Sequence, residues 1–432
     1  MNVFERVWKA IRNQAQPEIM TLPELIDING VLASSGQTVT AETSKNISTA
    51  YRCINIISDD FAKMPLQTFV NRVPGKIERL RPSNVTQNIA WLLEVSPNRW
   101  MTPFVMKKTL MQWLLCYGNA YAWMPPRSAG GRREIFVLNS SATYPLYDLR
   151  GNLWYQTIFA NGETRYLPDV EVMHLLINSL DGINGRSIIT YARESLGRQL
   201  GAYETQAKFY KQGLNPGGLL WMNGEVDKTA RQKVRDAYEE AMTGSSNAYR
   251  LAVLDNKVAK FEQITMKPVD VQFLEGIAEN DTEIANFFGM PLYKLNMGKQ
   301  AYSSNEQQNL DYLSTTLDPY LVQTEQASAL RWLTEDEQNY TYFRFNRDAL
   351  LRTDAMTRAQ IIEKRIQSGV LTPNEGRQID DLSTFDGGDS YYIPANIAVI
   401  MPDGSPKTAN TPAQNVKNTK KEVKYGETYS MF

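Results

Sequence analysis

Three features of the 432-residue chain predict an α+β fold. Apolar residues recur at helical spacing in several long stretches. Between Asn119 and Asn178, short runs of β-formers alternate with turn residues. Two long helical stretches, 187–213 and 269–289, bracket a small insertion of mixed character.

Residues 1–45 mix an amphipathic helix, with Val3, Phe4, Val7, Trp8 and Ile11 on one face, and a polar Ser/Thr-rich segment; residues 1–35 are assigned as an arm. From Ile47 to Met64 the residues Ile47, Tyr51, Ile54, Ile57, Phe61 and Ala62 share a helical face, and Pro65 opens a strand, PLQTFVNR. Trp91, Leu92 and Leu93 close a short helix. Thr102 and Pro103 then supply an N-cap and a first-turn proline for a helix that stops at Gly118. The segments NAYAWMP, EIFVLN, ATYPLYD, LWYQTIF and EVMHLLIN read as strands, with turns at Gly130-Gly131, Arg150-Gly151 and Asn161-Gly162.

Ser187 caps a helix expected to run unbroken to Gly213, about 25 residues or ~38 Å long. Gly197 and Gly201 give it a smooth face, which suits packing within one chain or between subunits equally well. The insertion contains a strand, LLWM, a helix from about Val226 to Met242 and a hairpin, LAVLDNKVAKFEQI. A second long helix runs from Val269 to Phe288, and a loop, MPLYKLNMGKQAYSS, ends in the capping pairs Ser303/Glu306 and Ser304/Gln307. The helix that follows reaches about Leu333 with Pro319 inside it. Leu310, Leu313, Leu317, Tyr320, Leu321 and Leu330 keep one apolar side, which predicts a bend; two helices broken at Asp318 are the alternative. After a strand, YTYFRFN, a helix from Asp354 ends at Gly369, and Thr372-Pro373-Asn374-Glu375 starts another with a capping box. Beyond Pro394, Pro, Asn, Thr and Lys dominate, which predicts a mobile tail.

Composition excludes several function classes. Lys and Arg total 46 against 47 for Asp and Glu, so a net charge of −1 provides no overall attraction to nucleic acid or acidic membranes. The only cysteines, Cys53 and Cys116, suit a reducing compartment and cannot form a cysteine metal site. Apolar stretches fall short of the ~20 residues of a membrane span, so a soluble protein is expected. The single histidine, His174, excludes His-His metal chemistry and reads as a packed strand residue bonded to backbone. The glycine doublet Gly387-Gly388 lacks the lysine of a phosphate loop and reads as a turn. Asp270, Glu275, Glu279, Asp281 and Glu283 could hold Mg²⁺ in a metal-dependent nuclease, but positions four apart on one helix form a stripe rather than a site. No cofactor is expected.

Several segments in order resemble the portal, or head-tail connector, proteins of tailed bacteriophages of the lambda-like, siphophage type. These are GQTVTAETSKNISTAYRCINIISDDFAKMPLQTF, SPNRWMTPFVMKKTLMQWLLCYGNAYAW, LPDVEVMHLLINSLDGINGRSII, FYKQGLNPGGLL, EIANFFGMPLYKL with SSNEQQNLDYLSTTLDPYL, and FNRDALLRTDAMTRAQ with SGVLTPNEGRQIDDL. The resemblance implies a wing at 36–186, stem helices at 187–213 and 268–289, and a clip at 214–267. It further implies a tunnel loop at 290–304, a kinked helix and wing return at 305–350, crown helices at 351–393 and a tail at 394–432. It also implies a homo-oligomeric ring of about twelve subunits at one capsid vertex of the virion, assembled in the host cytoplasm. That ring would conduct double-stranded DNA without reading its sequence, and would dock the terminase motor, head-completion or adaptor proteins and the major capsid protein. It would perform no chemistry and enter no membrane. Another capsid or scaffolding subunit is the structural alternative.

On residues alone the loop lysines fit a surface loop as well as a channel; the resemblance assigns Lys294, Asn296, Lys299, Gln300 and Tyr302 to the channel. In the insertion helix, Lys228, Arg231, Arg235 and Glu239 mix both signs, as expected equally of a solvated face and of a specific protein-docking surface. Pro319 is the expected kink.

Overall fold

The computed structural model describes residues 19–20, 31–73, 76–83, 88–126, 133–211, 218–222, 227–229, 232, 236, 258–263, 270–297, 305–350, 355–380, 382–391, 399–400 and 406–407. The chain divides into two compact units, Met1–Leu351 and Arg352–Phe432.

In the first unit, β1 (Ile19–Met20) precedes a hairpin of β2 (Val31–Leu32) and β3 (Thr38–Val39), turned at Gly36, whose φ of +78° favours glycine. The short helix α1 (Ala41–Ser44) is closed by a reciprocal cap between Thr40 and Thr43. Helix α2 (Ser48–Lys63) buries Cys53, Ile54, Ile57 and Phe61, whereas Tyr51, expected on the same face, is 54% exposed. Strands β4 (Leu66–Val73) and β5 (Lys76–Arg79) follow, then α3 (Ile89–Glu94), capped by Asn88. Helix α4 (Pro103–Tyr117) begins and ends as expected. Thr102 Oγ1 accepts from the Val105 amide, and Gly118 closes the helix at φ +76°.

Strands β6 (Asn119–Trp123), β7 (Phe136–Val137), β8 (Thr143–Asp148), β9 (Leu153–Ile158), β10 (Thr164–Pro168) and β11 (Val172–Leu176) build two antiparallel sheets, ordered β11-β6-β7 and β1-β8-β9-β10. Strand β10 was not expected. Its Thr164 and Arg165 are exposed and polar, so it lacks an apolar alternation, and pairing with β9 alone defines it. Strand β7 is shorter than the EIFVLN run implied.

The helix expected to run from Ser187 to Gly213 is interrupted. Ser187 does cap α5 (Ile188–Tyr191), but Ala192 leaves the helical region at φ −81°, ψ 5°, and α6 (Arg193–Lys211) starts afresh; the residues from 212 to 217 are outside those described. Gly197 packs within the chain. A Cβ there would lie 2.3 Å from that of Ala33 and 2.9 Å from Ser35 Oγ, so the glycine admits the β2-β3 hairpin. That hairpin spans the expected boundary between arm and wing and is tied to α6 by the Ser34 amide, which donates to Glu194 (3.1 Å).

Strand β12 (Gly218–Met222) pairs antiparallel with β13 (Val258–Gln263), which had been expected to pair inside its own hairpin. Helix α7 (Asp270–Phe287) returns with Ile284 and Phe288 buried and Glu279 and Glu283 outward. Then come α8 (Asn305–Tyr312), a π-helical turn at Leu313–Leu317, α9 (Asp318–Trp332), α10 (Glu335–Gln338) and β14 (Thr341–Phe345), which completes the sheet β14-β4-β5. One continuous core joins α2, α4, β6, α9 and β14 through Ile57, Phe61, Leu114, Ala120, Leu317, Leu321, Trp332 and Phe345. Phe61 and Phe345 stack at a tilt, 5.2 Å between ring centres. Among the described residues no helix is long and apolar enough to cross a membrane.

The second unit contains α11 (Ala355–Gln367), a left-handed turn at Gly369 (φ +71°) and α12 (Pro373–Ile379), whose Thr372/Glu375 capping box is the expected one. Gly376 fits against Ile366 and Ile362, where a Cβ would come within 2.9 and 3.3 Å. The Gly387-Gly388 turn wraps the Asn374 amide, which donates to the Phe385 carbonyl (3.0 Å) and Asp389 (2.9 Å) and accepts from the Phe385 amide (3.0 Å). Beyond Pro394 only β15 (Val399–Ile400) and β16 (Pro406–Lys407) are described; they pair antiparallel.

Candidate functional site

The candidate channel loop begins where α7 stops. Gly289, at φ +61°, turns the chain, and Pro291 opens a 3₁₀ turn, Leu292–Leu295, in which the Lys294 amide donates to the Pro291 carbonyl (3.1 Å). Asn296 ends the turn in the left-handed region at φ 57°, and the Met297 amide returns to the Leu292 carbonyl (2.9 Å).

Lys294 does not offer its charge to the loop surface. Its Nζ lies 3.0 Å from Asp60 Oδ2 on α2 and 4.1 Å from the centre of the Tyr312 ring. The other Asp60 oxygen receives Lys63 at 2.9 Å, and Asp60 is only 5% exposed, so two cations compensate one buried carboxylate. The Arg52 guanidinium donates to the Lys294 carbonyl (3.2 Å). The Lys294 ammonium is thus already held by Asp60 and Tyr312. Asn296 is exposed, and its left-handed backbone ends the turn. Lys299, Gln300 and Tyr302 lie outside the described residues.

The far end of the loop is fastened to the near end. The Tyr293 hydroxyl lies 3.0 Å from the Gln308 carbonyl and 3.1 Å from Asn309 Oδ1 on α8, and Thr316 Oγ1 donates to the Gly289 carbonyl (2.6 Å). Burial pushes the Tyr293 phenol up to about 12 and raises that of Tyr312 further, with the nearby Asp60 carboxylate acting in the same direction, so both stay neutral.

At Pro319 the chain neither stops nor breaks at Asp318, which keeps right-handed helical angles (φ −57°, ψ −38°). The proline is absorbed by the π turn, in which the Asp318 amide donates to the Leu313 carbonyl five residues back. Arg347 then clamps the start of α9, with Nε 2.6 Å from Asp318 Oδ1 and Nη1 3.0 Å from Glu325 Oε1. Of the expected apolar side, Leu313, Leu317 and Leu321 are buried, but Leu310 and Leu330 are 40% and 59% exposed.

Among the candidate docking residues, Lys228 is exposed and its amide donates to Asp227 Oδ1 (2.8 Å); Arg231, Arg235 and Glu239 lie outside the described residues. The helices that bracket the insertion are joined by a polar seam. Asn280 donates to the Ser195 carbonyl (2.9 Å) and to Gln199 Oε1 (2.6 Å), Thr49 donates to Asp281 (2.6 Å), and Arg198 pairs with Glu283. Two of the helix's acidic side chains are thereby committed to protein partners, and among the described residues no acidic, histidine or cysteine cluster could hold a metal ion.

His174 is packed, but on side chains rather than backbone: Nε2 is 3.0 Å from Asn119 Oδ1, Nδ1 is 3.3 Å from the Tyr155 hydroxyl, and the ring stacks on Tyr121. Burial, aided by the Arg331 charge, lowers it to about 3, and it stays neutral. Cys53 and Cys116 are free and buried, and burial raises their thiols to about 12 and about 11.

Asp60, Tyr293 and Tyr312 were missed from sequence. The lysine's partner stands 234 residues away along the chain, and no local spacing signals such a pair.

The fold is shared with a chain of a gene transfer agent particle. A chain from the neck of a native gene transfer agent particle, computed with C12 symmetry, superposes with a TM-score of 0.52 at 18% identity, covering 89% of this chain and 100% of its own. Among sequence relatives, the portal protein of Enterobacteria phage HK97 is 28% identical over 380 residues, 85% of this chain and 87% of its own. The probable portal protein of Streptomyces phage phiC31 is 26% identical over 396 residues, 87% and 84% of the two chains. The sequence model of the family described as phage portal protein matches residues 48–381. The chain belongs to that family.

Proposed function

We propose that copies of this chain close into a ring at one vertex of a phage capsid, and that the ring is the channel through which double-stranded DNA is packaged and ejected. The family match over residues 48–381 carries this reading. The C12 symmetry reported for the gene transfer agent neck supports twelve copies. The virion is then the protein's place of action. Residues 290–304 line the narrow part of the channel, with Lys299 as the cation available to phosphate, and duplex DNA slides past because the contacts read no base. The segment 214–267 docks the terminase motor and afterwards the head-completion proteins, through Lys228, Arg231, Arg235 and Glu239, while the outer body meets the major capsid protein.

Negative-stain images of the purified protein test the assembly: rings with a central hole are expected, and shells or small oligomers would overturn it. Lys299→Ala should slow packaging more at low salt than at high salt, and unchanged packaging would remove the loop from the DNA path. Charge reversal at Arg231 and Arg235 should weaken motor binding without disturbing rings; undiminished binding would place the docking surface elsewhere.

A further inference from the structure

We infer that Lys294 is a positioning residue: with Asp60, Tyr293 and Tyr312 it forms a clasp that fixes the root of the 290–304 loop. Placing the loop in the DNA path rests on the functional reading above; the clasp itself rests on geometry alone. Four sets of ties converge on Gly289, Tyr293 and Lys294. The Lys294 ammonium reaches Asp60 on α2 and lies over the ring of Tyr312, the last residue of α8. Arg52, also on α2, holds the Lys294 carbonyl. Tyr293 reaches over to the backbone and side chain of α8. Thr316, in the π turn, holds the Gly289 carbonyl at the loop's first bend.

The placement matters because the ties come from both sides of the excursion. Gly289 to Met297 is bound to α2 on one hand and to the helix that resumes at Asn305 on the other, so the two ends of the loop cannot separate without breaking the Tyr293 and Thr316 hydrogen bonds and the Lys294–Tyr312 contact. Lys294 is 17% exposed at its side chain against 8% for Asp60, and a cation so enclosed contributes little to counter-ion release on DNA binding. Lys294 and Lys299 therefore have different tasks although they are close in sequence. One sets where the loop starts; the other meets what passes.

Hydrogen exchange on the purified full chain separates them. Lys294→Met should raise exchange at the Lys294, Asn296 and Met297 amides roughly tenfold or more, and Lys294→Arg, which keeps a cation within reach of Asp60 and the Tyr312 ring, should restore most of the protection. Packaging should fall with Lys294→Met and recover with Lys294→Arg, while its dependence on salt stays that of the parent. Lys299→Ala should leave the three amides unchanged. Should Lys294→Met fail to fold, Tyr293→Phe, which cuts only the hydroxyl's bonds to Gln308 and Asn309, should show the same rise. Unchanged protection in the variants that fold would overturn the clasp, as would a packaging defect in Lys294→Met that mirrors the salt dependence of Lys299→Ala. If Lys299→Ala packages normally while Lys294→Met loosens the three amides, the clasp stands and the DNA path is what fails.

Discussion

The body and the carboxy-terminal helix pair are held together by different means. In the body, Trp332, Phe61, Leu114 and Met111 are almost wholly buried in one continuous apolar cluster that runs through helices and sheets, and Tyr121 and Tyr155 are buried in a second. In the second unit the buried side chains among the described residues are Thr372 (5% exposed) and Asn374 (2%), while Ile361, Val370, Ile379, Leu382, Phe385 and Tyr391 are all more than 40% exposed. The first is stabilised by removing apolar surface from water, the second by a capping box and one amide wrapped in a turn. A region of the first kind fails when a cavity opens, and one of the second kind when a donor or acceptor is lost.

Phe61→Ala is the strongest way to break the body. It should remove about 3–5 kcal/mol from the body's unfolding free energy in chemical denaturation, without altering exchange at the Phe385 amide. A matching loss in the helix pair would mean the two units share one cooperative core.

Acid should act on the body next, through His174. Its folded value, about 3, lies below the ordinary 6.5, so the stability it contributes is complete above pH 6.5 and is lost as pH falls toward 3, on the order of a few kcal/mol. The slope of melting temperature between pH 6.5 and 4 should flatten in His174→Gln. An identical slope in that variant would assign the acid sensitivity to carboxylates.

Asn374→Ala sharpens the contrast from the other side. It strips two donations and one acceptance from a buried amide, which should cost about 1–3 kcal/mol and expose the Asn374, Phe385 and Gly388 amides to exchange while the body's Leu114 and Leu321 stay protected. Protection at Phe385 that survives the change would show that apolar contacts hold the turn after all.

The smallest effect is expected of Gly197→Ala. The new methyl would overlap Ala33, and the β2-β3 hairpin can lift away, so about 1 kcal/mol is lost and proteases should gain access near Ser34. Unchanged cleavage there would show that the helix shifts instead.

Signals confined to a few residues were legible in the sequence. Thr102 and Gly118 bound α4, Ser187 starts a helix, and Thr372 with Glu375 starts another, because a cap needs only its own neighbours. Strand β10 was not legible, since its polar residues become a strand only by pairing with β9. The break at Ala192 carries neither proline nor glycine to announce it. At the candidate site the loop, its lysines and its proline were identified, but the direction of Lys294 depends on Asp60, which a different helix supplies. Charge in a loop shows which ion can be bound; only the fold decides whether that ion is already inside the protein.

The π turn at Leu313–Leu317 has a consequence for how the long helix can change. A five-residue hydrogen-bonded ring holds one residue more than an α turn, so the stretch before it is out of rotational phase with the stretch after it. Leu313, Leu317 and Leu321 stay inward across that offset, whereas Leu310, in line with them on a regular helical wheel, turns toward solvent. Deleting one residue from Ser314–Thr316 would turn the π ring into an α turn and rotate α8 by about 100° about its own axis. The loop end that α8 carries would swing with it, while α9 remained seated under β14. A one-residue change in length here is thus a rotation of the loop end rather than a disruption of the body.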